Sequence, residues 1–408
     1  MKLAEVFPLV GRRLSDIDEM TAETVTRWAE QDVIPKRLEH RENRETLLLP
    51  AYRSLAVDIG LQTMMWPEES GGSGRNEPEV AVATAAVVEQ AARGDVGIAF
   101  VLAHALAVQA MLFVGREDDA ASSEPWREAF GGGQSCFVSV ALPGLTTHAA
   151  AETLHGLAYP IIATRNGSGW TLSGSDIRAQ AMARDATLFA VCAAVEGEPA
   201  LFLVPADAAG ITVGDEYKTT GLAISRDALV DFNDVVAGDD ACAFRGLMHW
   251  RRFQSWLCLG SAAACVGATL AGWEILKEWG ESRVIKGKGQ IFKENPLVAS
   301  SLGEIGGAIG TNRLLVFDLA RLIADEYANA AGNASGLFAS ATAIAQRVCR
   351  ESMNVLDRTM ELMASAGYAT EWELERYWRD VKTVESRLGP WAAARADMAR
   401  HYFDLQTL

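Results

Sequence analysis

The chain has 408 residues, 49% hydrophobic and 22% charged, enough to bury the cores of more than one subdomain. A formal net charge of −16 excludes nucleic-acid binding built on clustered Lys and Arg. No apolar run reads as a membrane span, the N-terminus reads as no signal peptide, and a cytoplasmic protein is expected.

Residues 1–134 have helical texture: in Glu79 to Ala92, Val80, Ala83, Val87 and Ala91 line one helix face, and the other faces are apolar enough to be buried. Gly71–Gly74 and Gly131–Gly133 break this block. Residues 135–240 turn to β texture, with short runs at Cys136–Ala141, Ala158–Ala163, Trp170–Ser173, Leu188–Val195, Ala200–Val204 and Leu229–Phe232. They predict a small sandwich or barrel. Residues 241–408 are helical again, with long segments at 248–281, 294–328, 335–365 and 371–406 and a four-helix bundle as their natural packing. The stretch Trp256 to Leu270 reads as a buried helix. The fold class is therefore mainly α with an inserted β domain. Six cysteines (Cys136, Cys192, Cys242, Cys258, Cys265, Cys349) lack CxxC spacing and read as reduced core residues, with no metal site.

That order of blocks resembles the acyl-CoA dehydrogenase superfamily. Met65-Trp66-Pro67-Glu68-Glu69-Ser70-Gly71-Gly72 looks like its Pro-Glu-x-x-Gly-Gly segment, and Gly221 to Val235 matches the stretch that closes its β domain. Trp250 to Trp273 looks like its first long bundle helix, and Arg283 stands where it carries a flavin-contacting Arg. Gly367-Tyr368, Glu375-Arg376 and Arg379-Asp380 follow its C-terminal ladder. The resemblance implies FAD between the β domain and the bundle, and a CoA thioester whose α-proton is removed by a glutamate. Such a step needs a desolvated carboxylate beside a weak carbon acid.

The same register shows where the chain departs. The family's glutamate stands just before a Gly; here Leu388 precedes Gly389, and a leucine takes no proton. Glu385, His148 and His249 are the remaining candidates for proton transfer; Glu385 lies about a helical turn from the required position. The alternative base position on the first bundle helix falls at Leu257, beside Cys258, neither a base at neutral pH without strong activation.

For FAD the resemblance assigns Val138, Val140 and Ala141, where a Thr hydroxyl is lost, and Arg178-Ala179-Gln180 in place of Trp-Ile-Thr. It further assigns Arg283, then Glu361, Ala364 and Ser365 in place of Gln-x-x-Gly-Gly, then Pro390 and Ala392. Lys286, Lys288 and Gln290 offer replacement phosphate contacts. For the thioester it assigns Thr147, Arg252, Gln254 and Gly389. Trp250, Phe253 and Trp256 either favour a ring-bearing acyl group or are plain core.

Three readings stand open. The first is a flavoenzyme acting on a CoA thioester by oxidase or monooxygenase chemistry, with molecular oxygen as co-substrate and a homodimer or homotetramer as assembly. The second is a non-catalytic or half-site subunit of a hetero-oligomer with a related chain. The third is α,β-dehydrogenation with a displaced base.

Overall fold

The computed structural model describes residues 6, 14–40, 43–115, 126–142, 152–154, 157–216, 218–281, 283–285, 287–328, 332–387, 395, 398–399 and 401–403. The first long helix, α1 (Asp16–Trp28), starts at a reciprocal cap: Ser15 Oγ accepts from Asp18 N at 3.2 Å while Asp18 Oδ2 accepts from Ser15 N at 3.3 Å. Short helical turns lead to α2 (Val80–Gly94) and α3 (Val96–Phe113), in which every residue is buried. The corner between them is Asp95, whose Oδ1 caps Ile98 N at 2.9 Å.

Ten strands follow: β1 (Val138–Ala141), β2 (Glu152–Leu154), β3 (Leu157–Tyr159), β4 (Ile162–Asn166), β5 (Gly169–Gln180), β6 (Leu188–Val195), β7 (Glu198–Pro205), β8 (Ile211–Glu216), β9 (Ala228–Gly238) and β10 (Cys242–Arg245). Eight form one mixed sheet in which both β1 and β4 sit between β5 and β6, at different heights: Val140 pairs with Gln180 and Ala190, Ile162 with Ser173 and Ala194. β2 and β3 form a separate hairpin. The expected middle β domain is present, with these eight strands hydrogen-bonded into one mixed sheet. The run expected at Ala158–Ala163 is split between two strands because Pro160 has no amide hydrogen for a ladder. β10 pairs with β7, so the boundary expected at residue 240 falls instead at Gly246, before the next helix.

Four long helices follow among the described residues: α4 (Leu247–Gly280), α5 (Pro296–Ala328), α6 (Ala334–Met363) and α7 (Leu374–Arg387). The last covers Leu374–Arg387 of the expected 371–406 segment; residues 388–394 lie outside the described set, and residues 395, 398–399 and 401–403 are again helical. α4 packs against α2, α3 and α6. Gly267 permits one of these approaches, since a Cβ there would stand 2.2 Å from the Glu89 carbonyl oxygen. Contrary to expectation, α3 and α4 are each long and apolar enough to cross a bilayer, but the qualifying window of each is 100% buried inside the protein. Their apolar surface is already covered by the fold.

Candidate functional site

The end of β5 and the end of α7 meet where the flavin wall and the base were expected. Gln180 closes β5, half-buried, and its Nε2 donates to the carbonyl oxygen of Arg387 at 2.8 Å. Arg387, last residue of α7, pairs through Nη2 with Asp227 Oδ2, both side chains nearly inaccessible. Ser225 Oγ donates to the other carboxylate oxygen at 2.8 Å and accepts from Met182 N at 3.2 Å. A buried charge needs such pairing, because desolvation otherwise outweighs its other interactions. The β domain therefore grips α7 directly before Leu388.

A second fastening lies further back on α7. Asp380 Oδ1 accepts from Leu222 N at 2.6 Å and Arg379 Nη1 donates to the Thr220 carbonyl at 2.8 Å. Gly221 is required between them: a Cβ would stand 2.5 Å from the Arg379 carbonyl oxygen. Arg376 is buried beneath, paired with Asp95 through Nη1 and 2.8 Å from Glu373 through Nε. A cleft of about 230 Å³ opens beside this fastening, lined by Lys218, Gly221, Arg379 and Asp380 among others. None of the residues assigned to flavin or thioester lines it.

His104 on α3 completes the first cluster, and the sequence reading passed over it. Its Nδ1 lies 2.8 Å from the Phe100 carbonyl oxygen, and its other polar partner is the Gln180 side chain. Burial lowers its pKa to about 4, with Arg387 adding to the shift and both hydrogen bonds opposing it. The signal available in the sequence was a histidine inside an otherwise almost wholly apolar helix.

Glu385 is withdrawn as a displaced base. Its side chain is 3% exposed and accepts from Lys382 Nζ at 2.6 Å and Arg350 Nε at 3.0 Å. Burial alone would raise its pKa, but these two cations outweigh it and hold the carboxyl below its usual value. Cys258 is no alternative, since desolvation pushes its thiol up to about 12. His249 is half-buried, its ring 6.0 Å from that of Phe244. Arg252 is committed to a bidentate pair with Glu326, 2.8 Å at the shortest, and lies over the Tyr327 ring, which takes it away from the substrate role assigned to it. Gln254 is half-buried on α4. Trp250, Phe253 and Trp256 are buried core, and Trp256 Nε1 donates to Tyr327 Oη at 3.3 Å. Leu388, His148, Thr147, Lys286, Gly389, Pro390 and Ala392 lie outside the described residues.

The remaining flavin assignments divide into two groups. Val138, Val140, Ala141 and Ala179 are fully buried and back the wall, leaving Gln180 and the exposed Arg178 at its face. At the other end, exposed Arg283 stacks over Trp279 at 4.2 Å, and Lys288 is exposed on the loop whose ends pair at Val284 and Ile291. Gln290 Nε2 donates to the Glu294 carbonyl at 3.1 Å and so braces this loop. Glu361 is exposed and paired with Arg358 at 2.9 Å, which offsets the repulsion an acid would exert on a diphosphate. Ala364 and Ser365 are exposed beside it. A carboxamide and main chain for ring heteroatoms, an apolar backing and available cations for a diphosphate fit a flavin dinucleotide.

Comparison with known proteins agrees. Residues 15–121 match the acyl-CoA dehydrogenase N-terminal domain and residues 259–388 its C-terminal domain, together more than half of the chain. Mouse mitochondrial short-chain specific acyl-CoA dehydrogenase is 23% identical over 401 residues, covering 95% of this chain and 90% of that protein. The structure of a glutaryl-CoA dehydrogenase from Mycobacterium smegmatis in complex with FADH2 superposes with a TM-score of 0.76 at 17% identity, covering 98% and 97% of the two chains. Dibenzothiophene monooxygenase from Paenibacillus superposes with a TM-score of 0.75 at 16% identity, covering 95% and 97%. The chain belongs to the acyl-CoA dehydrogenase superfamily.

Proposed function

We propose that this protein is an FAD-dependent oxidoreductase that acts on a CoA thioester with molecular oxygen as electron acceptor, without base-initiated α,β-dehydrogenation. The observation that carries the proposal is the state of the base position. The register places Leu388 there, and the nearest acid, Glu385, is buried and neutralised by Lys382 and Arg350. His104 does not substitute, because a neutral imidazole with a pKa near 4 is too weak a base for a thioester α-carbon.

Bound FAD supplies a two-electron acceptor and, when reduced, a reductant for oxygen. The protein's own residues hold it: Arg283 and Lys288 bind the diphosphate, Gln180 and the main chain at the end of α7 orient the ring, and Ala141 and Ala179 pack behind. The likeness in fold to a monooxygenase supports the oxygen-using reading, as does the loss of the hydroxyl at Ala141. The assembly proposed is a homodimer or homotetramer, for which α5 offers exposed Leu297, Leu314 and Leu322.

The test is the protein expressed alone. A stoichiometric flavin spectrum, followed by thioester-dependent oxygen consumption once an added electron donor has reduced the flavin, supports the proposal. A folded protein that stays colourless after addition of FAD contradicts it and turns attention to a half-site subunit with a partner chain.

A further inference from the structure

We propose that Cys265 on α4 and Cys349 on α6 are a modification site: a thiol pair that hydrogen peroxide oxidises to a disulfide, fastening the two helices together. The proposal stands independently of the flavin reading above.

The two sulfur atoms lie 3.3 Å apart, and both residues are 0% exposed. They meet because α4 and α6 run in the same direction at a fixed offset. Arg251 pairs with Ser335, Cys265 meets Cys349, and a Cβ on Gly272 would stand 2.8 Å from Leu356 Cδ2. The first two pairs are 84 residues apart in sequence, and Gly272 and Leu356 keep that offset. A constant offset at heptad intervals marks a parallel seam, in which residues at one level face each other. The missing side chain at Gly272 keeps the helices close one level beyond the cysteines. Bond formation brings the sulfurs about 1.3 Å closer, which rotation of the two side chains supplies.

The other cysteines are placed differently. Cys136 Sγ accepts from Thr187 Oγ1 at 3.6 Å, and Cys242 Sγ donates to the Phe244 carbonyl at 3.5 Å. Cys192 is buried within β6, and Cys258 stands one heptad before Cys265 on α4.

The oxidation proceeds in two steps. One sulfur attacks a peroxide oxygen, the O–O bond breaks, and the departing hydroxide takes the thiol proton as water, leaving a sulfenic acid. The second sulfur attacks the sulfenic sulfur, and its proton leaves with the hydroxyl as a second water as the S–S bond forms. Two thiols give up two electrons and two protons, and the peroxide takes both. The contact with Cys265, and then burial, hold the Cys349 thiol well above its usual pKa. A pair shielded in this way reacts slowly, during local openings that admit a small neutral oxidant.

The test exposes the folded full-length protein to about 1 mM hydrogen peroxide for hours, then alkylates it in denaturant, counts thiols and maps peptides. The parent is expected to lose two of its six thiols and about 2 Da, to yield a peptide joining the segments around Cys265 and Cys349, and to recover both thiols in dithiothreitol. Cys349→Ala is expected to abolish the loss, and Cys258→Ala to leave it as in the parent. Should Cys349→Ala fail to fold, Cys265→Ala removes the pair from the other helix. A parent that keeps all six thiols, gains oxygen at Cys265 or Cys349 without linking them, or links a different pair would overturn the proposal. So would a two-thiol loss that persists in Cys349→Ala.

Discussion

The guanidinium of Arg387 and the carboxylate of Asp227 form a pair with 5% and 0% side-chain exposure, joining the end of α7 to the start of β9. This contact delivers the chain to Leu388. Removing one partner of a buried pair leaves the other charge without compensation, at a cost of about 3–5 kcal/mol. Asp227→Ala is expected to lose stability on that scale in urea unfolding, while Asp227→Leu with Arg387→Met recovers most of it. Equal losses in the single and double variants would show that shape, not charge, is what the pair supplies.

A pH dependence follows from Asp380. Desolvation pushes its carboxyl up to about 7, with Asp95 adding, against Arg376, Arg379 and the Leu222 amide. The unfolded value is near 3.8, so between roughly pH 4 and 7 the folded protein holds a proton that the unfolded chain has released. The contribution is fully present below that window, falls as pH rises through it, and is flat above. Relative to Asp380→Asn, the parent should lose at most about 1.4 kcal/mol of stability per pH unit across the window. Urea midpoints at about pH 5 and about pH 8 measure the difference. A parent that gains stability relative to the variant over this range would reverse the assignment.

The register of the base is tested by two substitutions. Glu385→Gln is expected to leave turnover with CoA thioesters unchanged and to cost about 1 kcal/mol, because Arg350 and Lys382 are largely solvent-facing partners. Leu388→Glu places a carboxylate where the family has one and is expected to introduce measurable enoyl-CoA formation. If Glu385→Gln abolished a dehydrogenase activity while Leu388→Glu changed nothing, the register would be wrong.

Much of the fold was legible because the periodicity was strong and long. Leu188–Val195 was expected and found residue for residue, and α4 to α6 lie within one or two residues of their predicted bounds. What was not legible depends on contacts far apart in sequence. β8 and β10 carry weak strand signals and are held by pairing with β9 and β7. Arg252 was assigned to the thioester, but Glu326, 74 residues on, claims it. Nothing local tied His104 to Gln180 or Arg387 to Asp227, which is 160 residues away. The assignment of the base position to Leu388, in contrast, rests only on the spacing from Arg379-Asp380 to Gly389 in the sequence.

The central claim is that this site passes electrons from flavin to oxygen without the base-initiated route. The most direct measurement is product analysis of the FAD-loaded protein with CoA thioesters, in air with an added electron donor that reduces the flavin, and under strict anaerobiosis with oxidised flavin and an artificial electron acceptor. The account predicts oxygen consumption in air and no enoyl-CoA in either condition. Enoyl-CoA formed anaerobically, in proportion to acceptor reduced, would contradict it.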